Sequence, residues 1–185
     1  MTKKNFSDFE EKCKDSELIF DGKVLHVYKD TITLPNGKEG FREYVKHIGA
    51  VCVIPVTDNG EVICVKQFRY PFHEPLIEIP AGKLDSVDEI PLEAAKRELA
   101  EETGAVAEKF IPLGIVDTTP ALIDEKIHLY MAEGLTFGQM HPDEGEFLGV
   151  ELIPLATLLD MVMSGEIRDG KTQIAILKAA RIKGI

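Results

Sequence analysis

Three glutamates crowd one short stretch of this 185-residue chain: Glu98, Glu101 and Glu102. Glu98 and Glu102 are four residues apart, so a helix would place both carboxylates on one face, where like charges repel. A solvated acidic face is the ordinary explanation for any single pair of this kind. The concentration of acids favours a second explanation, a hard divalent cation such as Mg²⁺ held by carboxylate oxygens and substrate phosphates.

The element that must position these acids is a helix predicted over residues 90–103. Three apolar residues are spaced to share one face of it: Leu92, Ala95 and Leu99. Gly104 supplies a C-terminal stop. Arg97 lies four residues before Glu101, at helical spacing, and would fix the acids without neutralising all of them.

Residues 97–105, RELAEETGA, resemble the core of the Nudix box, R-E-U-x-E-E-x-G-U, in which U is apolar. The box also has a Glu eight residues before the Arg, and Glu89 occupies that position. It has a Gly six residues before that Glu, whereas Gly82 lies one residue earlier, which indicates a one-residue insertion in the turn at 85–88. Nine positions in register are a specific signal, and the resemblance covers roughly residues 18–180.

Flanking residues are similar to the ADP-ribose pyrophosphatase branch of this family. The string EIPAG at 78–82 leads into the box, and Pro120 lies fifteen residues after Ala105. The resemblance implies Mg²⁺, with Mn²⁺ as an alternative, and a set of metal ligands: Ala81 through its carbonyl, Glu98, Glu102 and Glu146. It also implies a set of catalytic residues: Glu146, Glu144, Glu101 and Arg97.

The catalytic base is expected in the acidic loop DEGEF at 143–147, because the branch takes this Glu from a loop before a late strand. Box carboxylates that hold a metal have their lone pairs engaged. Glu146 aligns best, directly before Phe147, and Glu144 is the second candidate. A solvated acidic turn is the alternative for either residue.

The substrate-binding candidates are Arg69, Arg42 and Glu43. Arg69 interrupts an aromatic cluster, and a guanidinium beside a metal site suits a diphosphate. An edge loop packed on the core is the alternative explanation of that cluster. Arg42 also stands among several candidates for stacking on the substrate base, with Tyr28, Phe41 and Tyr44, and the sequence does not choose between them.

The function implied by the resemblance is Mg²⁺-dependent hydrolysis of ADP-ribose to AMP and ribose 5-phosphate. Three alternatives stay open: a nucleotide sugar as substrate, a nucleoside triphosphate as substrate, and a non-catalytic module that binds ADP-ribose. The intact acids of the box argue against the last.

The fold class implied is α/β (α+β), a Nudix-like mixed sheet sandwiched between helices and preceded by a small N-terminal β appendage. Residues 48–185 would form the Nudix domain and residues 1–47 the appendage, with a polar start, helical or frayed, through residue 16. Strand patterns begin at Leu18, and Asn36-Gly37 predicts a hairpin. So small a β unit cannot build its own core, and the resemblance implies that it makes a homodimer and reaches the neighbouring active site.

The composition limits the classes of molecule that the protein is expected to bind. A net charge of −11 argues against nucleic acid and anionic membranes and is consistent with a cation between protein and an anionic small-molecule substrate. The charged first sixteen residues do not resemble a signal peptide, and no apolar run reaches transmembrane length. Three cysteines lack CxxC spacing, with Cys52 and Cys64 expected in the core. A cytoplasmic enzyme is expected.

One further motif is misleading. Residues 165–172, GEIRDGKT, match the P-loop pattern, but a P-loop follows a strand and opens a helix. Here the preceding residues 155–162 have the apolar spacing of a helix. We therefore interpret Gly165 as a helix stop and Thr172 as the N-cap of the last helix.

Overall fold

The computed structural model describes residues 5–142 and 144–185. Residues 1–4 of the expected polar start and Asp143 of the acidic loop lie outside the described residues. The chain divides into two compact units. The first is Met1–His47 with Thr119–Glu125, and the second is Ile48–Thr118 with Lys126–Ile185. The division therefore does not fall at a single point in the sequence.

From residue 5 onward, the first unit contains an antiparallel sheet of three strands in the order β1-β2-β3. The strands are β1 (Lys12–Asp21), β2 (His26–Thr33) and β3 (Glu39–Lys46). The predicted hairpin is confirmed between β2 and β3, with Gly37 at a φ of 80°, which glycine adopts at little cost. The expected helical or frayed start is wrong for residues 12–16, because Lys12 already pairs with Thr33; a 3-10 turn spans Phe6–Phe9.

The later segment Thr119–Glu125 is joined to β3 by backbone hydrogen bonds. The Val45 N–H donates to the Leu122 carbonyl at 2.8 Å, and the Asp124 N–H donates to the Val45 carbonyl at 3.2 Å. The Asp124 carboxylate accepts a further hydrogen bond of 2.7 Å from the His47 N–H. These bonds make the segment part of the first unit.

In the described part of the second unit, seven strands form two sheets. They are β4 (Ala50–Pro55), β5 (Glu61–Arg69), β6 (Glu74–Glu78), β7 (Ala81–Lys83), β8 (Ala105–Asp117), β9 (Lys126–Phe137) and β10 (Leu148–Pro154). One sheet has the order β7-β4-β9-β8, with β4 and β9 parallel and the other pairs antiparallel. The other sheet, β10-β5-β6, is antiparallel. The predicted mixed sheet is confirmed.

Three helices cover the two faces of strand β4. They are α1 (Pro91–Thr103), α2 (Leu155–Ser164) and α3 (Gly170–Lys183). Side chains of a strand alternate between faces. Val51 and Val53 pack in one buried cluster with Leu99 of α1, and the alternate residues of β4 pack in a second cluster with α2 and α3. The core thus consists of a sheet between helices, and the packing of Leu99 against β4 fixes the position of α1 on the sheet.

Three helix ends were predicted from the sequence, and the structure confirms two of them. Gly104 and Gly165 end α1 and α2 at φ values of 68° and 82°, as predicted. The N-cap assignment of Thr172 is wrong. Asp169 caps α3, because its carboxylate accepts the Thr172 N–H, and the helix begins at Gly170.

The structure also bears on the cysteines and on the length of the helices. Cys52 and Cys64 are buried, as predicted, and burial raises the pKa of each thiol to about 12. Among the described residues, the three helices are all too short or too polar to cross a membrane.

Candidate active site

Glu102 is the most deeply buried carboxylate of α1, with 3% of the residue exposed. Its Oε2 accepts a 3.0 Å hydrogen bond from the N–H of Ala81, at the start of β7. Burial raises the pKa of Glu102 to about 8 against the effect of that bond, and the charges of Glu98 and Glu146 contribute to the rise. The charged form of Glu102 is therefore disfavoured, although the charge of Lys171 partly offsets the rise.

Glu98, one turn earlier, lies directly against the backbone of Gly82. A Cβ placed on Gly82 would be 2.0–2.2 Å from the three carboxyl atoms of Glu98. Burial raises the pKa of Glu98, a hydrogen bond from Arg97 opposes the rise, and the charge of Glu146 contributes to it. The glycine one position early in the box thus has a physical role, since any side chain there would occupy the space of this carboxylate.

Arg97 donates hydrogen bonds to three acids of the box region. Its Nη1 donates to Glu98 Oε1 at 2.7 Å and to Glu101 Oε2 at 3.1 Å. Its Nε and Nη2 lie 3.3 Å from the two oxygens of Glu89. Glu89 also accepts a 2.6 Å hydrogen bond from the Asp85 N–H, so the extra residue in the turn leaves Glu89 paired with the arginine.

The Glu98–Glu102 pair fits a divalent cation. Both carboxylates are largely buried, their charged forms are disfavoured, and the Ala81–Gly82 backbone lies against them. These are oxygen donors of the kind that hard cations bind. Within residues 5–142 and 144–185, no group of three or more His, Cys, Asp or Glu side chains is arranged to hold a metal ion. The pair would therefore need backbone, water or phosphate oxygens to complete a coordination shell.

The acidic loop presents its two candidate bases differently. Glu144 and Glu146 are both exposed, on either side of Gly145, whose φ is 95°. The charge of Glu146 contributes to the raised pKa of Glu98 and of Glu102. Neither Glu144 nor Glu146 makes a hydrogen bond or ion pair with a described residue. The structure thus brings Glu146 into the electrostatic field of the box.

Arg69, at the end of β5, forms a two-pronged ion pair with Glu78, at the end of β6. Its Nε lies 2.6 Å from Glu78 Oε1, and its Nη2 lies 2.7 Å from Oε2. Hydrogen bonding to Glu78 raises the pKa of Arg69, and the charge of Glu102 contributes to the rise. With 38% of its side chain exposed, the arginine is oriented by one carboxylate while remaining partly open to solvent near the box.

The residues that orient Arg69 were not predicted from the sequence. Glu78 has 2% of its side chain exposed and also accepts a hydrogen bond from Lys171 of α3. Burial raises the pKa of Glu78, but the hydrogen bonds and charges of Arg69 and Lys171 outweigh it and leave the pKa below its ordinary value. One pattern in the sequence could have indicated them: Glu78 lies between Ile77 and Ile79. A glutamate buried between apolar residues needs a cationic side chain as its partner.

The two remaining candidates, Arg42 and Glu43, lie on β3 in the first unit. Arg42 is paired with Glu11 and donates to the Phe41 carbonyl at 2.8 Å. Glu43 is exposed and opposes Lys29 in the β2–β3 ladder. Tyr28 and Tyr44 stack on each other, with ring centroids 5.9 Å apart. A substrate-binding role for this group stays a prediction.

Two family models match the chain. Residues 46–172 match the NUDIX domain, and residues 11–45 match the nucleoside diphosphate sugar hydrolase N-terminal domain. Similar proteins include an ADP-ribose pyrophosphatase of Bacillus subtilis (strain 168), 46% identical over 169 residues, which are 90% of this chain and 91% of that protein. A methanol dehydrogenase activator of Bacillus methanolicus is 41% identical over 170 residues, 91% of each chain.

A solved structure has the same fold. The crystal structure of an ADP compounds hydrolase superposes with a TM-score of 0.83, covers 95% of each chain and is 22% identical in sequence.

The close approach of Glu98 to Gly82 gives a first test. Gly82→Ala should displace the Glu98 carboxylate while leaving the fold intact, because the atoms that clash are the end of a flexible side chain. We expect hydrolytic activity to fall by about 10²-fold, the effect of misplacing a group in a site by about 1 Å. Steady-state kinetics and thermal unfolding measure the two effects separately.

The matched control is Gly149→Ala in β10. A Cβ there meets its nearest neighbour, Lys66 Cβ, at 3.7 Å, which is ordinary contact. Its activity should stay within about twofold of wild type. Equal activities for the two variants would contradict the assignment of Gly82 as the residue that makes room for Glu98.

Proposed function

The chain belongs to the Nudix hydrolase family, and from this premise we propose that it hydrolyses the diphosphate of ADP-ribose to AMP and ribose 5-phosphate. The observation that carries the proposal is the buried carboxylate pair Glu98 and Glu102, lying against the backbone of Ala81 and Gly82. The relative named ADP-ribose pyrophosphatase, which aligns with nine-tenths of this chain, supports the choice of substrate.

Nudix hydrolases generally depend on divalent metal ions, and the cation proposed here is Mg²⁺, with Mn²⁺ as a substitute. The residues proposed to hold it are Glu98, Glu102 and the Ala81 carbonyl, joined by Glu146. When bound, such a cation neutralises phosphate charge and acidifies a nearby water molecule.

The chain's own residues would perform the remaining work. Arg97 would keep Glu101 and Glu98 in place through its hydrogen bonds. Arg69, already oriented by Glu78, would bind the diphosphate oxygens and stabilise the charge that develops as water attacks one phosphorus and the bridging P–O bond breaks.

Glu146 is the proposed acceptor of the proton that the attacking water loses. Its side chain is exposed, so one carboxylate oxygen can stay free to accept a proton while the other binds the cation, and its charge already acts on Glu98 and Glu102. Gly145 beside it would let the loop move toward a bound substrate.

Nucleoside diphosphate sugars are the second candidate substrate class. The description of the N-terminal family model favours them, since it names a nucleoside diphosphate sugar hydrolase. A nucleoside triphosphate and a purely binding role are the remaining candidates, and one panel of substrates separates all four.

The purified protein should hydrolyse ADP-ribose in the presence of Mg²⁺ faster than nucleotide sugars or triphosphates. Glu102→Gln should lower turnover by at least about 10²-fold without loss of fold, because it removes a proposed ligand and also relieves repulsion between like charges. Liquid chromatography of the products measures turnover, and circular dichroism measures the fold.

Glu93→Gln is the control, because Glu93 is an exposed acid on the same helix, paired with Lys96. Wild-type turnover by Glu102→Gln at saturating Mg²⁺ would contradict the metal site. Faster turnover of a nucleotide sugar would transfer the proposal to that class, and tight binding of ADP-ribose without turnover would support a binding module.

The assignment of the base is tested by comparing Glu146→Gln with Glu144→Gln. Glu146→Gln should lower kcat by about 10²–10⁴-fold with KM little changed, the usual contribution of a general base. Glu144→Gln is the matched control and should retain nearly full turnover. If neither variant is slowed more than about tenfold, the acceptor lies elsewhere, and Glu101 or Glu89 becomes the next candidate.

A homodimer in the cytoplasm completes the proposal. Of residues 5–47, Ile32 alone is buried in the chain, while several apolar side chains of the first unit are more than 40% exposed: Leu18, Ile19, Phe20, Val24, Leu25 and Phe41. A sheet with so little buried surface is marginal by itself, so a second copy of the sheet is the expected cover. The described cysteines are free thiols, as a reducing compartment maintains them.

Light scattering at micromolar concentration should give the mass of a dimer for the wild type. Phe20→Glu should shift the protein toward monomer, since it places a charge among these apolar side chains. Ile115→Glu, at a similarly exposed position of β8, is the control and should remain dimeric. A fully active wild-type monomer would rule out this assembly.

A further inference from the structure

The stretch rejected as a P-loop contains a buried charge that the proposed mechanism does not use. Lys171 has 11% of its side chain exposed and lies between two carboxylates. Its Nζ donates to Glu78 Oε2 and, at 3.0 Å, to Asp169 Oδ2. A buried ammonium group needs carboxylate partners of this kind, and in return it restricts the positions of those carboxylates.

The ion pairs form a continuous chain from α3 to Arg69. Glu78 Oε1 accepts from Arg69 Nε, and Glu78 Oε2 accepts from both Arg69 Nη2 and Lys171 Nζ. Because both oxygens of Glu78 are engaged, its carboxylate plane is fixed, and the plane of the carboxylate sets the plane of a guanidinium bound to it in two-pronged fashion.

The anchor of this chain is the N-terminus of α3. Asp169 Oδ2 accepts from the Thr172 N–H at 3.0 Å, which caps the helix, and from Lys171 Nζ. The Thr172 hydroxyl in turn accepts a 3.1 Å hydrogen bond from the N–H of Ile79, next to Glu78. Two contacts therefore join the end of β6 to the start of α3. Lys171 binds the Glu78 side chain, and the Thr172 hydroxyl binds the Ile79 backbone.

Arg69 is the member of the chain that remains open to a ligand. No described residue accepts a hydrogen bond from its Nη1, and its side chain is 38% exposed. Its partner Glu78 lies three residues before Ala81, whose N–H donates to Glu102 of the box.

We propose that Lys171 is a positioning residue for the hydrolysis: it orients Glu78, and through Glu78 it holds the Arg69 guanidinium beside the box to receive the diphosphate. The inference rests on the proposed function. The competing explanation is that Lys171 only balances the buried charge of Glu78 and so contributes to stability alone.

A double-mutant cycle on kcat/KM distinguishes the two. Lys171→Met in the wild-type background should lower kcat/KM for ADP-ribose by about 10–100-fold, because Arg69 loses its orientation. Arg69→Lys keeps a cation for Glu78 but cannot form the two-pronged pair. In that background Lys171→Met should lower kcat/KM by less than about threefold, since coupled residues are not additive.

Lys178→Met is the matched control, because Lys178 lies on the same helix and donates to the Leu113 carbonyl instead of to Glu78. It should leave kcat/KM within about twofold of wild type. Lys171→Gln, which retains a hydrogen-bond donor, replaces Lys171→Met if the latter does not fold.

Nuclear magnetic resonance of the metal-free protein gives a readout that needs no substrate. The Nε–H signal of Arg69, assigned by its loss in Arg69→Lys, should exchange slowly with water in the wild type. In Lys171→Met the signal should shift and exchange faster, whereas Lys178→Met should leave it unchanged.

An unchanged Arg69 signal in Lys171→Met would overturn the proposal, as would equal losses of kcat/KM in the two backgrounds. A lower melting temperature with unchanged kcat/KM would do the same. If the wild type does not hydrolyse ADP-ribose, the proposed function fails, while the Arg69 signal still decides whether Lys171 positions the arginine.

Discussion

Burial of acidic side chains is the constraint around which the second unit is arranged. Glu78 and Glu102 are both almost wholly removed from water, at 2% and 3% exposure, but their surroundings differ. Glu78 receives two cations, and its pKa stays below the ordinary value. For Glu102, burial and the charges of Glu98 and Glu146 outweigh the Ala81 N–H and the charge of Lys171, and its pKa rises to about 8. The Glu78 carboxylate is paired with cationic side chains of the protein, whereas the Glu102 carboxylate can still bind a cation.

The segment from Glu78 to Gly82 connects these two environments. Glu78 is held by Arg69 and Lys171, the Ile79 N–H is held by Thr172, and the Ala81 N–H is held by Glu102. A stretch of five residues is therefore fastened to a strand and to two helices. Such fastening fixes the backbone against which the acids of α1 lie, and a site built on fixed elements is more precise than one built on loops.

The sequence predicted the features that depend on local patterns. The helix and its glycine end follow from apolar spacing and residue type, because both are encoded within a few residues. The mixed sheet was predicted only through the resemblance to the Nudix family. The pairing of Glu78 with Lys171 joins positions 93 residues apart, and no local pattern encodes it. Thr172 was misassigned for the same reason, since its hydroxyl binds the N–H of Ile79 and leaves the cap to Asp169. Residues 12–16 looked polar and irregular because both faces of β1 are exposed, which removes the alternation that identifies a strand.

The loop between β8 and β9 has a consequence for how such chains diversify. Thr119–Glu125 belongs to the first unit, although the strands on either side of it belong to the second. A single recombination point near residue 47 would transfer the first three strands without the segment that binds to Val45 and His47. The first unit is therefore not encoded by one continuous stretch of the gene. A new N-terminal sheet acquired by gene fusion would have to suit a loop encoded some seventy residues downstream, and substitutions in these two regions of the gene are expected to co-vary.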